Sequence, residues 1–153
     1  GGNGSVESTR EIHVSIPKGA DTGYAIRIEG EGAPGVNGNG DLYVVIRVEK
    51  HPIFERHGDD IYMVQEVEFP LAALGGELDD IPGLEGNVSL DIPEGTQNGA
   101  VLRIIGKGIP HFDDQGSGDE YVVINVVTPI DLTEEEKDLL RRFQKSRRQH
   151  PAT

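Results

Sequence analysis

Two clusters of side chains invite a chemical reading. His51, Glu55, His57, Asp59 and Asp60 crowd one charged segment, and Asp113, Asp114, Asp119 and Glu120 crowd another. Either could be drawn around a cation, but neither has the spacing of an ordered ligand loop or of a helical i, i+4 pair, and the calcium-loop letter pattern is absent. Solvated loop chemistry is the plainer expectation for both. Gly30-Glu31-Gly32-Ala33-Pro34-Gly35 satisfies G-x-G-x-x-G. A dinucleotide fingerprint needs a helix to start inside that loop, and here the loop runs through Asn37-Gly38-Asn39-Gly40 towards another strand. No G-x-S-x-G elbow is present, and Gly116-Ser117-Gly118 has the composition of a hairpin tip. Nothing in these patterns predicts an enzyme.

The elements that would position such groups come from a repeat. IPKGADTG at Ile16 returns as IPEGTQNG at Ile92, an offset of 76 residues. YAIRIEGEGAP (24–34) then matches AVLRIIGKGIP (100–110), and GDLYVVIRV (40–48) matches GDEYVVINV (118–126) at an offset of 78. Within 153 residues, this predicts two small related β-rich units in tandem. Alternation predicts strands at Arg10 to Ile16, Tyr24 to Glu29, Leu42 to Val48, Asp60 to Val67, Val88 to Ile92, Ala100 to Ile105 and Glu120 to Val127. Ile12, Val14 and Ile16 share one face of the first; Leu42, Val44, Ile46 and Val48 share one face of the third. Glu49 to Asp60 reads as a linker. Thr133-Glu134-Glu135-Glu136 is a capping box opening a helix from Thr133 to about Ser146, with Leu139, Leu140 and Phe143 as a short apolar stripe.

Composition narrows the partners. Fourteen basic residues against 27 acidic ones give a formal charge of −13, which repels phosphate backbones, so no nucleic-acid partner is expected. There is no cysteine, hence no disulfide or thiolate metal site within these residues. No apolar run reaches the roughly 18 residues of a membrane helix, and no signal pattern opens the chain. A cytoplasmic protein without membrane contact is the expectation.

The runs REIHVSIPKGADTGYAIRIEGEGAPG, NGDLYVVIRVEKHPIFERHGDDIY, PLAALGGELDDIPGLEG and LDIPEGTQNGAVLRIIGKGIP resemble the C-terminal region of the DnaJ co-chaperone family. HPIFER and AALGG are specific words rather than generic sheet patterns. The resemblance covers Gly1 to about Arg147. It implies a mainly β fold of two tandem sandwich-like or barrel-like subdomains followed by a C-terminal helix. The implied boundaries are 1–50 for the second part of subdomain I, with residues 1–4 closing a zinc module, 51–129 for subdomain II, and 130–153 for the dimerisation helix and tail. Gly1-Gly2-Asn3-Gly4 fits the end of the last C-x-x-C-x-G-x-G repeat, so zinc is expected only in a cysteine-rich module preceding this stretch, and no cofactor within it. The resemblance further implies binding of unfolded polypeptides, delivery of these clients to a DnaK-type chaperone through a J domain outside this stretch, and homodimerisation. It assigns the peptide groove to Ile12, Val14 and Val44, and dimerisation to Leu139, Leu140 and Phe143. For Val14, Ile16, Leu42 and Ile46 the plain alternative is core filling. A structural dimerisation module without its own client binding is the alternative function.

Overall fold

The computed structural model describes residues 11–36, 38–113 and 115–150. It is mainly β, with several small sheets and a C-terminal helix. The strands are β1 (Ala25–Ile28), β2 (Pro34–Gly35), β3 (Gly38–Asn39), β4 (Leu42–Val45), β5 (Glu55–His57), β6 (Asp60–Glu68), β7 (Gly76–Ile81), β8 (Val88–Ile92), β9 (Val101–Ile104) and β10 (Glu120–Val127). Helix α1 (Phe69–Leu74) follows β6, and α2 (Glu134–Gln149) ends the described chain. β1 pairs with β4, β2 with β3, and β7 with β8; β5, β6, β10 and β9 form a four-stranded sheet in that order. Contacts divide the chain into two compact units: residues 1–61 with 105–120, and residues 62–104 with 121–153.

The sequence repeat is a repeat of hydrogen bonds. In each copy the two turn glycines take positive φ, 80° and 97° at Gly19 and Gly23, 77° and 87° at Gly95 and Gly99, a region that costs other residues steric strain. Gly23 N–H donates to Ile46 O and Ile46 N–H to Tyr24 O; Gly99 N–H donates to Ile124 O and Ile124 N–H to Ala100 O. The carboxylate of Asp41 accepts from Gly30 N–H at 3.2 Å, and that of Asp119 from Gly106 N–H at 2.8 Å. Gly32 N–H donates to Gly40 O, and Gly108 N–H to Gly118 O.

Two expectations need correction, and one element was not expected. Residues 11–16 carry no strand pairing, although Ile12 and Val14 are half-buried between exposed neighbours. Alternation reports which side chains share a face; a strand also needs a neighbour's backbone groups, and none among the described residues pairs with this segment. The expected linker at 49–60 contains β5 and the buried Phe54. His51 Nδ1 accepts from the amides of Ile53 and Phe54 at 3.0 and 3.3 Å, folding HPIF into a turn that seats the Phe. Finally, Phe69-Pro70-Leu71 opens a helix unmarked in the reading above: Pro70 sits in its first turn, where the missing N–H has no partner to lose. Residues 1–4, read above as the end of a zinc module, lie outside the described residues.

The elsewhere expected strands stand close to their sequence bounds, β8 and β10 at the same residues. Thr133 caps α2: its hydroxyl accepts from Glu136 N–H while the Glu136 carboxylate accepts from Thr133 N–H. The Thr133 backbone N–H, and after it the Thr133 side chain, hold the Glu136 carboxyl below the usual carboxylate range.

The buried side chains are unevenly shared. Met63, Val67, Ala72, Ile81, Leu90, Ile92, Val122 and Ile124 belong to the second unit, whereas only Phe54 and Ile61 among the buried apolar residues belong to the first. The first unit also buries Glu120 completely. In the repeat Glu120 stands where the other copy has Leu42. Neither of its carboxylate oxygens has a hydrogen-bond partner among the described residues, and burial pushes its pKa up to about 7. The folded chain therefore holds this proton where the unfolded chain, near 4.5, has released it. The stability it permits is complete below about pH 4.5 and falls as pH rises to about 7. Glu120→Leu should raise stability by roughly 1–3 kcal/mol at pH 8 and by much less at pH 5, measured by urea denaturation. An equal gain at both pH values would refute the titration. A methyl group built on Gly118 would fall on the carbonyl oxygen of Asp59, so Gly118→Ala should cost about 2 kcal/mol or more in the same assay. Gly40→Ala, whose added carbon meets only ordinary contacts, serves as the control and should cost less.

Candidate functional site

In the first unit, β1 and β4 set Ile26 opposite Val44 and Ile28 opposite Leu42. With Ile46 these side chains line one face of a two-stranded sheet, and all five are half-buried. The other face is open: Tyr43 and Val45 are exposed. Opposite Tyr43, Arg27 forms an ion pair with Asp41, its Nε donating at 2.7 Å. The Arg27 guanidinium and the Gly30 amide hold the Asp41 carboxyl below the usual range. Arg103, which matches Arg27 in the repeat, has no comparable partner among the described residues. Neither β1 nor β4 has a second strand neighbour among those residues. Val44 thus lies in an aliphatic face whose strand edges are open among the described residues, while Ile12 and Val14 lie half-buried in the segment before the first turn. Among the described residues no backbone pairing brings that segment onto β4.

Beside this sheet, Arg56 ties the first turn to the β5–β6 hairpin. Its Nη groups donate to Gly19 O at 2.9 Å and Ala20 O at 3.0 Å, and its Nε to Gly58 O at 2.7 Å. Asp59 joins the network through Arg56 and through His111 Nδ1 at 2.8 Å, a contact that raises the His111 pKa. Tyr24 meets Phe112 edge-on, ring centres 4.9 Å apart. The charged groups here are consumed in holding turns together. Among the described residues no three His, Cys, Asp or Glu side chains gather as a metal ion would require.

The second unit offers a deeper apolar site. A groove of about 560 Å³ runs between the β6–α1 junction and α2, within the range of pockets that hold small ligands or side chains. Val67, Phe69 and Pro70 form one wall; Leu132, Leu139 and Leu140 form the other, with Val127 and Pro129 between. Helix α2 has no buried residue. Leu139 and Phe143, one turn apart, are each more than half exposed. Leu139 and Leu140 thus face a groove of their own chain, and Phe143 is not part of its lining. The Val67–Pro70 wall was missed in the sequence. Pro70 just after a strand, followed by Leu-Ala-Ala-Leu, was the available signal for a helix start there.

Apolar side chains thus line both places, half-buried on the β1–β4 face and around the α2 groove. Among the described residues, no helix is long and apolar enough to cross a membrane. A family model described as DnaJ C terminal domain matches residues 3–129. The chain is 50% identical over 145 residues to the Chaperone protein DnaJ of Parageobacillus thermoglucosidasius, covering 94% of this chain and 38% of the relative. It is 50% identical over 142 residues to that of Geobacillus kaustophilus, covering 92% and 37%. With that of Burkholderia mallei, identity is 46% over 143 residues, covering 92% and 38%. The chain thus spans well under half the length of these relatives. The repeated turns, the two Asp-anchored hairpins and the HPIFER turn fall within the matched residues, and the chain belongs to the DnaJ C terminal domain family.

Proposed function

We propose that this chain is the region of a DnaJ-type chaperone that binds unfolded polypeptides, forms the homodimer, and serves a protein that passes its clients to a DnaK-type chaperone. The observation that carries the reading is the β1–β4 sheet, whose aliphatic face is only half-buried and whose strands have free edges among the described residues. An edge recognises backbone without regard to sequence, and an apolar face beside it selects Leu, Ile or Phe side chains. Ile12, Val14 and Val44 are the proposed contacts, in a subdomain running to about residue 50, with a second from 51 to 129. Binding alone requires no cofactor. Zinc is proposed for a cysteine-rich module outside this chain, and the setting for the cytoplasm.

Ile12→Ser and Val44→Ser should each weaken binding of an apolar heptapeptide several-fold, with little change in melting temperature, because a hydroxyl buried unpaired against a Leu or Phe costs ~1–3 kcal/mol. Peptide anisotropy and thermal melts on the same samples decide this. Unchanged affinity, or unfolding in place of lost affinity, returns both residues to the core.

The exposure of Leu139 and Phe143 supports dimerisation through α2, since an isolated helix of 16 residues with so little apolar cover is marginal in water. Leu139→Asp combined with Phe143→Asp should convert the dimer to monomer in light scattering. A variant that remains dimeric removes α2 from the interface.

A further inference from the structure

The α2 groove is lined by apolar side chains together with three glutamates. Glu66 and Glu68 approach it from the end of β6, and Glu136 from the first turn of α2. Glu68 precedes α1 without making a side-chain cap. Neither Glu66 nor Glu68 takes part in an ion pair among the described residues, and no Lys or Arg lines the groove. Glu134 and Glu135 stand in the same turn as Glu136. Of the cations nearby in sequence, Lys137 is bonded to Glu134 at 3.2 Å and Arg141 to Asp138 at 2.9 Å, and Arg142 does not line the groove.

Carboxylates around an apolar groove penalise an acidic ligand and attract a basic one. We propose that this groove is a second client site in the chain, selective for segments in which a Leu or Phe cluster is flanked by Lys or Arg. This deepens the client-binding reading and rests on it. The apolar side chains enter between Pro70 and Leu140, and the flanking cations reach Glu66 and Glu68. Phe143 lies outside the groove and stays free for another copy of the chain.

The test uses the whole chain and two fluorescent dodecapeptides with the same Leu-Phe-Leu core, one flanked by lysines and one by glutamates. In anisotropy titrations at low salt the lysine peptide should bind at least ten-fold more tightly, and the preference should shrink as salt is raised towards 0.5 M. Glu66→Lys with Glu68→Lys should abolish or invert the preference. Glu85→Lys with Glu94→Lys changes the net charge equally, at exposed positions outside the groove, and should leave it in place. Equal binding of the two peptides overturns the proposal while leaving client binding intact, as does a preference that survives Glu66→Lys with Glu68→Lys. Failure of every apolar peptide to bind overturns both readings. If the Glu66, Glu68 pair alters the dimer constant in light scattering and leaves peptide binding unchanged, the groove belongs to a second copy of the chain and the proposal fails.

Discussion

The amide of Gly30 points at the carboxylate of Asp41, and the amide of Gly106 at that of Asp119. Each bond closes a hairpin whose tip contains several glycines. Without an internal acceptor the loop backbone would have only water to satisfy it. The strands leaving each tip carry the aliphatic positions, so the aspartates set the register on which every face depends. In one copy Asp41 also holds Arg27. In the other, the N–H of Asp119 donates to the Asp60 carboxylate and its carbonyl accepts from Ile61 N–H, which fixes the start of β10 against β6.

The same frame is filled to different degrees. The second unit packs Ile81, Ile92, Val122 and Ile124 out of solvent, which gives it a rigid interior. In the first unit the matching β1–β4 face stays half-buried. An aliphatic face framed by a rigid turn network and only half-buried among the described residues is the feature on which the proposed client binding rests. The Arg56–Asp59–His111 network supplies that rigidity by tying three loops together through hydrogen bonds and ion pairs.

Charge is also distributed with consequence. The chain is strongly acidic overall, but α2 reverses sign along its length, from Glu134, Glu135 and Glu136 at its start to Arg147 and Arg148 at its end. That order suits the helix dipole and places the carboxylates beside the apolar groove. The basic end is left to solvent.

The amino-acid order alone determined the repeat, the turn glycines, the bounds of β8 and β10, and the capping box of α2. These rest on local chemistry: positive φ at Gly19 or Gly95, alternation in EYVVINVV, and one hydroxyl three residues before one carboxylate. Alternation grouped Ile12, Val14 and Ile16 on one face and Leu42, Val44 and Ile46 on another, and only the family resemblance picked out Ile12, Val14 and Val44 among them. Whether 11–16 pairs as a strand, whether HPIFER is a linker or a seat for Phe54, and which residues face α2 depend on atoms distant along the chain. The groove was illegible for the same reason, since Phe69 and Leu140 become neighbours only when the chain from β6 through β10 has folded back on itself. Glu120 shows the limit most sharply. In the sequence it is an acid in an acidic stretch, and only the tertiary packing around it decides that it is buried without a partner, because burial is a property of surroundings that no local pattern encodes.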